Sequence, residues 1–355
     1  VDGKERGEKK TGPSLFFHVI MEMEQREVTM DTIIKDYLLS LKLETPQQHK
    51  NMTIFPLRTP LDGGPDYMTL KEALEKSHLL VTEVSSGGSV PELKVVNKAP
   101  SSVLLLDGEE LVGAKQNRVL NTTILINEKS EVVIPVSCTE KGRWAYVSNS
   151  FRDSDTVMSP SLRSEKARTV ATSLRSTGQY RSDQGTVWEK IDELAGKADT
   201  VSRTGAMKDI YEQKTKELDE YLRAFACLPD QKGFLVFKGL EPVGFDFVSR
   251  EKAFRDLFPK MVKSYAMEAV LEDKKDETKV DPPLAEGFLK EATGCDEKTY
   301  DSVGRGREYR YESKAMVGSA LAVDDKVIHL AFFRVRESDR SGEMASTRRR
   351  VRYRL

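Results

Sequence analysis

The chain is poor in cysteine and histidine. Its 355 residues hold three cysteines, Cys138, Cys227 and Cys295, odd in number and far apart. That excludes a disulfide framework, and with no CxxC pair it argues against a structural zinc site. The four histidines, His18, His49, His78 and His329, are scattered and none forms HExxH. No apolar run approaches the ~20 residues of a membrane span. Ser14–Met23 starts apolar but meets Glu22 and Glu24, and no small-residue cleavage site follows, so it does not read as a signal peptide. There is no excess of either charge: 56 basic against 57 acidic residues leave a net charge of −1. Specific nucleic-acid binding therefore has no global electrostatic support. Neither GxGxxG nor GxxxxGK[ST] occurs, which removes the usual sequence grounds for a Rossmann or P-loop nucleotide site. These absences together make a cytoplasmic protein the expectation, with no membrane partner and with cofactor and oligomeric state open.

What is present suffices for a large core. Apolar residues are 38% of the chain, which argues against wholesale disorder. Residues 1–28 are expected to be a disordered extension, and 334–355 an Arg-rich disordered tail. Residues 30–43 carry Ile33, Ile34, Tyr37, Leu38 and Leu41 at helical spacing. Short β-branched runs then fill 51–150: MTIFPL, LLVTEV, ELKVV, SVLLL, LVGAK, VLNTTILI and EVVIPV, with a helix over Thr69–Glu75 among them. Residues 160–228 read as helical, with one helix over Asp209–Phe225. Residues 232–333 read as mixed. They contain two hairpins, GFLVFKGLEPVGFDFV and SALAVDDKVIHLAFFRV, and a helical stretch Lys252–Leu271 between them. EDKKDETKVDPP reads as a charged loop. Elements in blocks rather than strict βαβ alternation predict an α+β fold, with largely antiparallel sheets built from hairpins around a central helical block. His329, in an apolar strand, reads as a core residue.

An internal echo raises the question of duplication. Leu104–Gly113 (LLLDGEELVG) and Leu235–Gly244 (LVFKGLEPVG) align Gly108 with Gly239, Glu110 with Glu241, and Gly113 with Gly244. Two unrelated hairpins, or one unit repeated about a pseudo-twofold axis, both account for it. Asp107–Gly108 signals a type I′ turn. If the first copy carries the site and the second the scaffold, only Glu110 matters to function.

Chemistry concentrates in two clusters. Lys115, Gln116, Asn117 and Arg118 are four long polar residues between core-like strands. If that run stays extended, Lys115 and Asn117 face one side and Gln116 and Arg118 the other. Buried polar groups need partners, so the run is either a structural network or a ligand site. In CTEKGRW, Cys138 lies near Lys141 and Arg143. It is either a thiol of lowered pKa, fit to be a nucleophile, or an inert small hydrophobe. Glu140 reads as a general base or a surface charge. Arg143 beside Trp144 suits anion binding and stacking, or covers the core. Ser182 or Asp183 reads as a helix N-cap ahead of Gln184 and Trp188. Because one site needs convergent groups, the two clusters are expected to lie together.

The strings GEELVGAKQNR, IPVSCTEKGRW and SDQGTVW, in this order, resemble the ADP-ribosylglycohydrolase- and rhodanese/phosphatase-associated protein domain family, over roughly Asn51 to Phe333. The resemblance implies a place near ADP-ribose and NAD metabolism but brings no accepted catalytic residues. Positions that match its motifs include Glu109, Glu110, Lys115 to Arg118, Cys138, Glu140, Arg143, Trp144, Asp183, Gln184 and Trp188. Two functions remain. In one, Lys115, Gln116, Asn117, Arg118, Arg143, Trp144, Asp183, Gln184 and Trp188 bind an anionic, ADP-ribose-type small molecule. In the other, a hydrolase or transferase uses Glu109, Glu110 or Glu140 as acid/base and Cys138 as nucleophile.

Overall fold

The computed structural model describes residues 30–61, 63–272 and 279–335. The proposed extension 1–28, most of the proposed tail and much of the EDKKDETK loop lie outside them. Among the described residues the fold is α+β, with mostly antiparallel sheets.

A nine-stranded sheet organises the molecule. Its strands are β1 (Lys42–Leu43), β2 (Gln47–His49), β3 (Met52–Arg58), β13 (Gly233–Lys238), β14 (Glu241–Val248), β15 (Asp296–Asp301), β16 (Arg307–Glu312), β17 (Met316–Val323) and β18 (Lys326–Arg334). The order β1-β3-β13-β14-β18-β17-β16-β15 is antiparallel throughout, and β2 also pairs with β3. The central strands are apolar on both faces because both faces are covered. In β13, Phe234 and Val236 enter one core while Leu235 and Phe237 enter another. The second core is closed by α1 (Thr32–Ser40) and α8 (Pro282–Ala292), through Ile34, Tyr37, Leu38 and Phe288. The first is closed by α3 (Pro160–Thr177), α4 (Gln184–Lys197), α5 (Met207–Gln213), α6 (Thr215–Ala224) and α7 (Glu251–Val270).

The stretch between β3 and α3 builds a second β unit. A three-stranded sheet joins β4 (Tyr67–Thr69), β7 (Ser102–Leu105) and β10 (Ile124–Ile126). A six-stranded sheet runs β12 (Phe151–Val157), β8 (Glu109–Gly113), β9 (Arg118–Leu120), β11 (Ser130–Cys138), β6 (Glu92–Asn97) and β5 (Leu79–Glu83). The short helix α2 (Leu70–Glu75) is capped by the Thr69 hydroxyl, which accepts from the Glu72 N–H.

The Asp107–Gly108 turn departs from the type I′ expectation. The Glu109 N–H donates to the Leu106 carbonyl at 3.1 Å, and only Gly108 has positive φ, +85°. Positive φ at the second central residue alone is the type II pattern, which splays its flanking strands. They part accordingly: β7 joins the three-stranded sheet and β8 the six-stranded one. The hairpin echo fails for that reason, since β13 and β14 pair directly with each other and β7 and β8 do not. Asp324–Asp325 does form the tight turn expected between β17 and β18, with both residues at positive φ.

Two further expectations change. Asp209–Phe225 is two helices, because the chain breaks at Lys214, where the Thr215 hydroxyl donates to the carbonyls of Tyr211 (3.2 Å) and Glu212 (2.7 Å). Lys115–Arg118 does not run on as a strand. Residues 114–117 form the turn of the β8–β9 hairpin, with Arg118 opening β9.

Candidate functional site

The β8–β9 turn and the end of β11 meet. Arg118 and Cys138 are cross-strand partners, and the Thr139 N–H donates to the Asn117 carbonyl at 3.0 Å. The CTEKGRW segment then folds back over the turn. The N–H groups of Ala145 and Val147 donate to the carbonyls of Lys115 (3.2 Å) and Ala114 (3.0 Å). The two polar clusters are one structure, as convergence required.

Arg143 and Glu140 fasten this structure. Arg143 Nε donates to Glu140 Oε1 at 2.9 Å and Nη2 to Oε2 at 2.6 Å, a bidentate pair. The same guanidinium donates to the carbonyls of Ala114 (2.7 Å) and Ala145 (2.9 Å) and to Asn117 Oδ1 (3.1 Å). Glu140 Oε2 also accepts from the Asn117 N–H at 3.2 Å. Burial pushes the Glu140 carboxyl up, but the bonds from Arg143, Thr204 and Asn117 outweigh it and hold the pKa below the ordinary range. A carboxylate so engaged is poorly placed to take a proton.

Arg118 is different. Its side chain is fully buried, and Nη1 donates to the Gln116 carbonyl (3.0 Å) and Gln116 Oε1 (3.1 Å). Nε and Nη2 have no hydrogen-bond partner. The nearest carboxylate, Glu83, is 3.8 Å from Nη2, beyond hydrogen-bond range. Above this guanidinium lies Trp144, its ring centroid 5.6 Å from Arg118 Cζ. Trp144 is 48% exposed, and Tyr146, two residues on, 49%. Lys115 Nζ sits 5.3 Å from the Trp144 ring and 5.1 Å from that of Tyr146. The arrangement is an exposed aromatic ledge with two cations at it, one of them under-bonded and desolvated.

The remaining candidates fall elsewhere or serve as supports. Gln184 clamps the Cys138 backbone, accepting from its N–H at 2.7 Å and donating to its carbonyl at 2.9 Å. Asp183 caps α4 through the Thr186 N–H. Trp188 follows on that helix, its buried Nε1 unpaired. Cys138 is fully buried, and burial pushes its thiol up to about 11, against the lowering expected of a nucleophile; its neighbour Arg118 offsets only part of this. Glu109 and Glu110, adjacent on β8, point to opposite faces and are both fully buried. Glu109 is ion-paired with Lys260, which also holds Asp153 at 2.9 Å. Glu110 Oε1 accepts from the Thr139 hydroxyl at 2.6 Å, and burial lifts its pKa to about 7.

Sequence reasoning passed over Glu83, although the alternation Leu79, Val81, Glu83 on β5 puts a carboxylate on a buried face. It also missed a buried ionic network where the sheets meet. Arg163 on α3 makes a bidentate pair with Asp246 (2.7 and 2.8 Å) and reaches Asp107 (3.2 Å), which Lys166 also contacts. Tyr265 and His329, the latter in the core as expected, complete it around Asp246. Its residues lie far apart in sequence, so no local spacing announces it. Among the described residues no group of His, Cys, Asp and Glu is arranged to hold a metal ion, and no helix is long and apolar enough to cross a membrane.

No curated protein and no solved structure matches the chain. One family model matches residues 40–333, from the end of α1 to the end of β18 and so through both β units and the whole Arg118–Trp144 structure: by that match the chain belongs to the family of the ARG and Rhodanese-Phosphatase-superfamily-associated Protein domain.

Proposed function

We propose that the chain is a ligand-binding or regulatory module that takes an anionic metabolite of ADP-ribose type, and so serves ADP-ribose or NAD metabolism. Lys115 and Arg118 supply positive charge and Trp144 a stacking face. The observation that carries this reading is Arg118, a buried guanidinium with two unpaired nitrogens under an exposed tryptophan. A buried donor without an acceptor is costly, and an anionic oxygen meets that need best. Arg143, Gln116 and Asn117 hold the site in shape through the bonds described above. The enzyme reading has less support, because Glu109 is ion-paired with Lys260, Glu140 is saturated by Arg143 and Asn117, and the Cys138 thiol is pushed up to about 11.

The chain has two tryptophans, so Trp188→Phe leaves Trp144 as the sole indole reporter. Titrating that variant with ADP-ribose should change Trp144 emission saturably, and Lys115→Ala should weaken binding by about tenfold, the equivalent of one charge-assisted contact. A flat titration with ADP-ribose and with other ring-bearing anions refutes the reading. Product formation from ADP-ribosylated substrates that Glu110→Gln abolishes would replace it with the enzymatic one.

A further inference from the structure

Glu83 and Arg118 form a mismatched pair. Glu83 ends β5 with its side chain 3% exposed. Its Oε1 accepts from the Lys115 N–H at 3.3 Å, while Oε2 has no hydrogen-bond partner. Arg118 Nε and Nη2 are likewise unpaired, yet the two side chains stand 3.8 Å apart instead of closing into a bidentate pair. Two unmet donors and one unmet acceptor are thus buried side by side. A bare anion would satisfy the donors but set its charge against the Glu83 carboxylate. A ligand that carries a hydroxyl beside its anionic group would satisfy both.

The cover over this pair is lightly fastened. The β5–β6 connection folds down so that a Cβ added at Gly88 would lie 3.4 Å from Glu83 Oε2, 3.4 Å from Trp144 Cζ2 and 3.1 Å from Lys115 Cδ. Gly88 has φ +75°, so glycine suits both the conformation and the close approach. Two exposed bonds hold the tip of the connection, Lys115 Nζ to the Gly87 carbonyl at 2.6 Å and the Tyr146 hydroxyl to the Ser86 carbonyl at 3.3 Å, while its far end is tied by the Val136 N–H donating to the Pro91 carbonyl at 2.9 Å. Both exposed bonds come from ledge residues, so a ligand that engages Lys115 and Tyr146 also releases the tip of the cover.

We propose that Glu83 and Arg118 are the specificity end of this site and select a sugar phosphate, with the phosphate on Arg118 and a sugar hydroxyl donating to Glu83. The proposal rests on the anion-binding reading above and adds the class of the anion's neighbour.

Calorimetric titration of the full chain with ribose 5-phosphate, with tetrahydrofurfuryl phosphate (the same ring and charge without hydroxyls) and with ADP-ribose tests it. Ribose 5-phosphate should bind about tenfold more tightly than the hydroxyl-free phosphate, as a charge-assisted hydrogen bond gives. Glu83→Gln should cut that preference to below about threefold. Equal affinities of the two phosphates for the wild type overturn the proposal while leaving anion binding intact, and so does an undiminished preference in Glu83→Gln. If none of the three ligands binds, the anion-binding reading itself falls. The wild-type comparison decides the matter even if Glu83→Gln does not fold.

Discussion

Glu110→Gln should stabilise the protein at alkaline pH and leave it unchanged in acid. Glu110 is fully buried on β8, and burial lifts its pKa from 4.5 to about 7, with Glu140 adding to the effect. The hydroxyls of Thr139 and Ser154 and the charge of Lys208 pull it part of the way back. The folded protein therefore keeps a proton that the unfolded chain releases once pH passes 4.5. The native state binds more protons in that window, so stability falls as pH rises from 4.5 to about 7. At about 1.4 kcal/mol per pH unit, the ionised side chain costs about 3 kcal/mol above the window. Glutamine keeps the shape and can still accept from Thr139, and it never ionises. Urea melts of both proteins at pH 5, 6, 7 and 8 should show the variant gaining on the wild type with pH, to about 3 kcal/mol at pH 8. In thermal melts, about 2 °C per kcal/mol for a chain this long makes that about 6 °C. Comparing two proteins that differ at one site cancels most other titrations. A difference that does not change with pH, or a variant less stable at pH 8, would refute the reasoning.

Glu109→Gln should behave in the opposite way, because it leaves Lys260 buried with only Asp153; a loss of about 3–5 kcal/mol in urea melts at pH 7 is expected. Gly108→Ala should cost about 1–3 kcal/mol, since φ is +85° and the new Cβ would meet Arg163 Cδ at 2.9 Å while Asp246 holds that side chain in place. Cys138 and Cys295, both buried with thiols pushed up to about 11, should resist alkylation in the native protein at pH 7.5, and Cys227 should react first by mass spectrometry. Glu241→Gln should change neither binding nor stability measurably, because Glu241 is exposed at the start of β14 while its sequence counterpart Glu110 is buried.

The sequence by itself determined the family and many of the local elements. Continuous apolar runs marked β3, β13 and β18 as strands buried on both faces, and helical spacing marked α1, because each pattern reports which faces a segment must bury. The run KQNR marked the candidate site, and its adjacency to CTEKGRW was expected because one site needs convergent groups. Strands β15 and β16 went unread, because their residues DEKTYD and REYRYE are mostly charged or polar; Glu308 and Arg310 are buried against each other instead of exposed. Only the tertiary structure decided which strands pair. The LLLDGEELVG string reads as a hairpin, but a type II turn at Gly108 sends β7 and β8 into separate sheets. Tertiary structure also decided which polar residues are spent and which are free. Arg143 and Arg118 look alike in sequence, yet Arg143 donates to carbonyls and a carboxylate all round it while Arg118 is left with two unpaired nitrogens. Hydrogen-bond saturation depends on groups brought from β5, β9, β11 and their connections, which no local spacing encodes.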